Sequence, residues 1–144
     1  MENQRFKQQG AFSWCELTTT DTAAAKQFYS QLLGWSTEDM PMTLFNTNYT
    51  VLKAGDTEVG GIMRLPENMP GSPWQKPAWG CYVTVDDVDG IVEQVKTLGG
   101  KVLLFPQDIS KVGRFAMIED PQGATLGLIT YFPEVLSNED DQKA

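Results

Sequence analysis

Apolar residues in this chain recur with two periods, and the switch between them marks out strands and helices. The segments SWCELTTTD and WGCYVTVDD each read as an apolar-rich strand closing on Thr and Asp. The aspartates, Asp21 and Asp87, stand where a helix N-cap belongs, since a carboxylate there accepts the unpaired amides of the first turn. Helical spacing follows each of them: Ala24, Ala25, Phe28 and Leu32 in the first case, Val88, Ile91, Val92, Val95 and Leu98 in the second. Both helices are expected to stop at glycine, Gly34 and Gly99-Gly100. Three short strands then follow each helix, near 35–40, 47–53 and 57–63 in the first half and near 101–105, 113–119 and 124–130 in the second. Ala54-Gly55-Asp56 and Asp120-Pro121-Gln122-Gly123 supply the turns before the last strands.

The order is therefore βαβββ twice, and a shift of 66 residues superposes the halves. Cys15 falls on Cys81, Thr18 on Thr84, Asp21 on Asp87, Leu32 on Leu98, Gly34 on Gly100 and Gly61 on Gly127. Between them, RLPENMPGSPWQKP carries four prolines and suits an extended connector. Period-two alternation separates the faces of the strands. Cys15, Leu17, Thr50, Leu52, Cys81, Val83, Ala116, Ile118, Leu126 and Leu128 are expected under the helices, with both thiols buried and inert. The other face takes Trp14, Glu16, Thr18, Tyr49, Val51, Lys53, Gly61 and Met63 from the first half. From the second it takes Gly80, Tyr82, Thr84, Phe115, Met117, Glu119, Gly127 and Ile129. Aromatics, glycines and polar tips in that mixture suit a cavity better than a core.

At 144 residues the chain is sized for one compact domain, large enough to build a core without disulfides or a structural metal. Eleven basic residues against nineteen acidic ones give a net charge of −8, which repels phosphate backbones and argues against nucleic acid as a partner. The closing NEDDQKA reads as a solvated tail. No apolar run approaches a membrane span, the first residues lack the apolar stretch of a signal peptide, and two cysteines make no disulfide framework; a cytoplasmic protein with no membrane partner is expected. The chain has no histidine, which excludes imidazole-based triads and histidine-ligated metals. Phosphate-loop, dinucleotide and CxxC signatures are also missing, so no cofactor is expected. The Asp86, Asp87, Asp89 cluster lacks calcium-loop spacing and reads as helix capping.

Three blocks, FSWCELTTTDTAAAKQFYSQLLGW, PAWGCYVTVDDVDGIVEQVKTLGGKV and GRFAMIEDPQGATLGLI, resemble the vicinal oxygen chelate superfamily of glyoxalase I, bleomycin-resistance proteins and extradiol dioxygenases. The resemblance covers roughly residues 10–131. It implies an α+β fold in which two βαβββ modules form a curled mixed sheet around a cleft. The corresponding division is an N-terminal extension at 1–10, module 1 at 11–64, a linker at 65–77, module 2 at 78–131 and a flexible acidic tail at 132–144. Metal sites of the family take His, Gln or Glu from the first and last strand of each module. Here those positions fall on Trp14, Gly61, Gly80 and Gly127, none of which ligates a metal through its side chain.

The candidate ligand-binding residues are thus Trp14, Glu16, Tyr49, Gly61, Met63, Gly80, Tyr82, Phe115, Met117, Gly127 and Ile129, with no metal ligands among them. Glu16 is either a general base, its pKa raised by burial, or a structural carboxylate paired with Lys53 or a tyrosine. Tyr49 and Tyr82 either stack on a ligand or fill space. The glycines either make room for a ligand or permit close strand packing. Three functions follow: a metal-independent small-molecule-binding protein; a lyase or isomerase resembling lactoylglutathione lyase, with Glu16 and Tyr82 as catalytic residues; or an antibiotic-sequestering protein whose acidity favours a basic drug. Strand edges left open by each module point to a homodimer.

Overall fold

The computed structural model describes residues 2–42, 47–66 and 70–136. Part of the linker, 67–69, and the tail from 137 onward lie outside the described residues. The elements run β1 (Phe12–Thr19), α1 (Thr22–Leu33), β2 (Ser36–Met42), β3 (Thr47–Ala54), β4 (Thr57–Arg64), β5 (Ala78–Thr84), α2 (Val88–Val95), β6 (Lys101–Ile109), β7 (Gly113–Glu119) and β8 (Thr125–Tyr131), after a 3-10 turn at Glu2–Phe6. The fold is α+β, with the βαβββ order present twice.

Two compact units share the chain: Trp14–Gly80, and Met1–Ser13 together with Cys81–Ala144. In the first, β2, β3 and β4 pair antiparallel and β1 joins β4 in parallel. In the second, β6, β7 and β8 pair antiparallel and β5 joins β8 in parallel. The N-terminal segment belongs to the second unit for specific reasons. Gly10 N–H donates to the Thr84 carbonyl and Thr84 N–H to that of Ala11, both at 2.8 Å. The Phe6 ring packs edge-on against Tyr131 at 4.9 Å, and the Ser13 and Tyr131 hydroxyls bond at 2.9 Å. Burial pushes the Tyr131 hydroxyl up to about 12.

Each helix covers one face of its own sheet. Leu17, Leu52 and Ile62 form the core of the first unit, with Ala25, Tyr29, Trp35 and Val59 packed on it. Val85, Val88, Val92, Ala116 and Leu128 form that of the second, with Val83, Ile91, Val102, Ile118 and Leu126 around them. The alternation therefore assigns the helix-facing aliphatic positions correctly. It fails for the cysteines: both Cys15 and Cys81 are exposed. The packing of α1 reaches Leu17 but not Cys15, whose register partner on β4 is Gly60, a residue with no side chain to close over the thiol.

The helix ends also differ from expectation in part. Asp21 caps α1, accepting Ala24 N–H at 3.0 Å, and Gly34 ends it in the left-handed region at φ 75°. Asp87 occupies the equivalent N-cap position but makes no capping hydrogen bond, and the amide of the first helical residue, Val88, donates to Thr130 Oγ1 at 3.1 Å. Helix α2 stops at Val95, short of Gly99, and the chain turns back with Gly100 N–H bonded to the Val95 carbonyl. Strand β6 outruns its expected length, continuing through Pro106 with two irregularities against β7.

Candidate functional site

On the face away from α1, the first unit lines up two rows across its strands. Glu16, Gly61 and Val51 stand in register on β1, β4 and β3; Thr18, Met63 and Tyr49 form the next row. In the second unit the corresponding rows are Tyr82, Gly127, Met117 and Thr84, Ile129, Phe115 on β5, β8 and β7. Every member of one set lies 66 residues from its counterpart, so the sequence repeat is a repeat of register. Ten of the eleven candidate ligand-binding positions sit on these rows or beside them at Trp14; Gly80 is exposed, with open space where a side chain would stand.

The glycines of the two rows are roofed by aromatic rings of their own unit. A side chain on Gly61 would run into the ring and hydroxyl of Tyr49. One on Gly127 would place its Cβ 2.6 Å from Cε1 and 2.9 Å from Cγ of Tyr82. The rings come from non-equivalent strands, β3 in the first unit and β5 in the second, yet each fills the space over the equivalent glycine. Trp14 fixes one of them: its indole N–H donates to the Tyr49 hydroxyl at 2.7 Å. Tyr82 stacks edge-on against Phe115 at 6.3 Å. Glu16, Met63, Tyr82, Phe115, Met117 and Ile129 are buried, and Tyr49 and Trp14 are half-buried. Lys53 forms an ion pair with Glu38 at 3.3 Å.

The donor chemistry does not fit the family's metal. An indole and three glycines supply no side-chain lone pair at the four positions that the resemblance implies, and among the described residues no three Asp, Glu, Cys or His side chains gather.

A cleft that sequence reasoning missed opens on the helix side of the first unit. It encloses about 410 Å³ between Leu17, Ala24, Phe28, Tyr29, Pro77 and Trp79. Its aromatic wall is continuous, with Tyr29 4.9 Å from Phe28 and 5.3 Å from Trp79, and the Trp79 indole N–H donates to the Tyr29 hydroxyl at 3.2 Å. The signal was present in α1, which offers more apolar residues than one buried stripe can use.

Comparison with known proteins agrees with this fold. The family model "Glyoxalase/Bleomycin resistance protein/Dioxygenase superfamily" matches residues 11–128. The chain belongs to this superfamily. It is 40% identical over 121 residues to "Putative glyoxylase CFP32" of Mycobacterium tuberculosis, covering 83% of this chain and 45% of that protein. It is 32% identical over 128 residues to "Anthracycline biosynthesis protein DnrV" of Streptomyces peucetius, covering 83% and 46%. The chain thus spans a little under half the length of these superfamily relatives. Among solved structures, methylmalonyl-CoA epimerase of M. tuberculosis shares the fold with a TM-score of 0.61 at 13% identity, covering 88% of this chain and 93% of the epimerase. An epimerase of Streptomyces coelicolor, solved in complex with 2-nitronate-propionyl-CoA, gives 0.61 at 13%, covering 85% and 97%.

Proposed function

We propose that this superfamily member binds a small aromatic molecule without a metal ion at the family positions. One observation carries the reading: the metal positions are Trp14, Gly61, Gly80 and Gly127, and the space over two of them is held by Tyr49 and Tyr82. Rings and hydroxyls replace a Lewis acid, so recognition rests on stacking and hydrogen bonds, with Glu16 as a carboxylate for a basic group. The net charge of −8 favours a cationic ligand, and the relatedness to an anthracycline biosynthesis protein supports a planar, basic compound of that kind. Titration with an anthracycline, followed by its fluorescence, is expected to show saturable binding that weakens in Glu16→Gln and Tyr49→Ala. Elemental analysis after chelator-free purification is expected to find far less than one transition metal per chain; a full equivalent surviving dialysis would overturn the reading.

The burial of Glu16 beside Gly61 favours a second reading, a lyase or isomerase of the lactoylglutathione lyase type, with Glu16 as base and Tyr82 or Tyr49 as hydroxyl partner. It requires turnover to collapse in Glu16→Gln at unchanged melting temperature. Binding without turnover of any tested thiol adduct removes it. In either case the protein works in the cytoplasm, in keeping with two exposed thiols, and as a homodimer.

A further inference from the structure

The cleft on the helix side of the first unit is walled by residues of that unit alone and encloses about 410 Å³ between α1, β1 and the start of β5. That volume suits a small organic molecule. Its ring wall is preorganised. Tyr29 stacks on Trp35 at 6.0 Å, Trp79 meets both rings edge-on, and the Trp79 indole N–H donates to the Tyr29 hydroxyl. Phe28, edge-on to Tyr29, extends the wall along α1. Exposure alone does not distinguish these rings, since Phe12, Leu33, Met40 and Val112 are also exposed or nearly so. What sets Phe28, Tyr29 and Trp79 apart is that they wall a cavity whose lining holds one carboxylate and no basic side chain.

We propose that this cleft is a binding site for an organic cation, an alkylated or quaternary ammonium on a small apolar body. Charge and ring chemistry select that class together. The carboxylate is Asp21, whose Oδ1 accepts the Ala24 amide at 3.0 Å, while no partner among the described residues takes its Oδ2. Lys26, the one cation of α1, is held 3.0 Å from Asp39 and does not neutralise it. An anionic ligand would meet a carboxylate and no basic group. A primary ammonium is compact and strongly hydrated, so it gains little from aromatic faces. An alkylated ammonium gives up its water more cheaply, and the negative faces of tryptophan and tyrosine rings attract it. The site is separate from the proposed ligand face of the sheet. Leu17 lines the cleft, whereas Glu16, its neighbour on β1, stands in the row with Gly61 and Val51 on the opposite side.

Titration of the full chain with benzyltrimethylammonium, followed by heteronuclear NMR of the backbone amides and indole N–H groups, tests this. The Trp79 indole signal, identified by its loss in Trp79→Phe, and the Ala24 amide are expected to shift and saturate. Neutral benzyl alcohol should bind more weakly, and benzoate should not bind. Asp21→Asn removes the charge but keeps a side chain that caps a helix as well as aspartate does, so the fold should hold while affinity falls roughly two- to fivefold. Trp79→Leu should weaken binding about three- to fivefold. If that variant unfolds, Ala24→Leu gives the decision, because leucine is a good helix former and its side chain fills the cleft; binding should then be lost. Glu16→Gln should bind as the unaltered protein does, which separates this site from the one on the opposite face. Equal binding of benzyl alcohol, or undiminished binding by Asp21→Asn, overturns the cation class. A titration without a saturable shift at Trp79, or one confined to the Trp14 indole and weakened by Glu16→Gln, overturns the site.

Discussion

Placing an alanine at Gly127 should destabilise the second unit, and the cost should vanish when the ring of Tyr82 is removed. The new Cβ would lie 2.6 Å from Cε1 and 2.9 Å from Cγ of that ring, whereas carbon atoms in contact prefer about 3.5–4.0 Å. The ring must therefore retreat by about 1 Å. Tyr82 is only 7% exposed and rests against Phe115, so it has no free direction to take. Overpacking of this kind costs roughly 1–3 kcal/mol. Tyr82→Ala alone should cost about 3–5 kcal/mol, the usual range for truncating a buried aromatic to alanine. In the double variant the clash is gone, so the two costs should fall short of their sum by about 1–3 kcal/mol. Urea unfolding of the four proteins in the cycle measures this coupling. Tyr82→Phe is the discriminating background, because it keeps the ring and loses only the hydroxyl; there Gly127→Ala should cost as much as in the unaltered protein. Additive costs, or a cost abolished by Tyr82→Phe, would refute the reasoning that the ring occupies the glycine's space.

Tyr131 makes the protein sensitive to alkali. Its folded pKa of about 12 exceeds the ordinary 10.0, so its stabilising effect is intact below pH 10 and is lost as pH rises to about 12, at most about 1.4 kcal/mol per unit; Tyr131→Phe should flatten the stability profile in that window, whatever its effect at neutral pH. Asp21→Ala should cost about 1 kcal/mol through the lost cap of α1, and Asp87→Ala clearly less, since only the first carboxylate accepts a first-turn amide; equal losses in chemical denaturation would contradict this. Leu52→Ala, at a site 1% exposed, should cost about 2–5 kcal/mol in the same assay, and a neutral result would dismiss the assigned core. The hydrogen bond from Thr50, and then that from Lys26, hold the Asp39 carboxyl below its usual range, so its contribution is present above the ordinary 3.8 and is lost on acidification; Thr50→Val should move its titration, followed by NMR, back upward.

The register of the two repeats was legible because it rests on short-range pattern. Alternation at Leu17, Leu52, Ala116 and Leu128 and the 66-residue shift needed no tertiary information. What escaped depended on how far each helix reaches over its sheet. Cys15 shares its strand face with Leu17, yet exposure differs because the packing of α1 ends between them, and no periodicity encodes that limit. Asp87 matches Asp21 in position and in its extended backbone, yet its carboxylate accepts no first-turn amide, a difference that no spacing encodes. The glycines show the same dependence most clearly. From sequence, Gly61 and Gly127 offer either space for a ligand or close packing, and the choice turns on where neighbouring rings point. The structure fills both spaces with tyrosines from different strands. Equivalent backbone positions have thus reached the same occupancy through non-equivalent residues, which a shift of the sequence against itself cannot reveal. In each unit an aromatic ring lies over the glycine, and it is the strand supplying that ring, not the glycine, that differs between the halves.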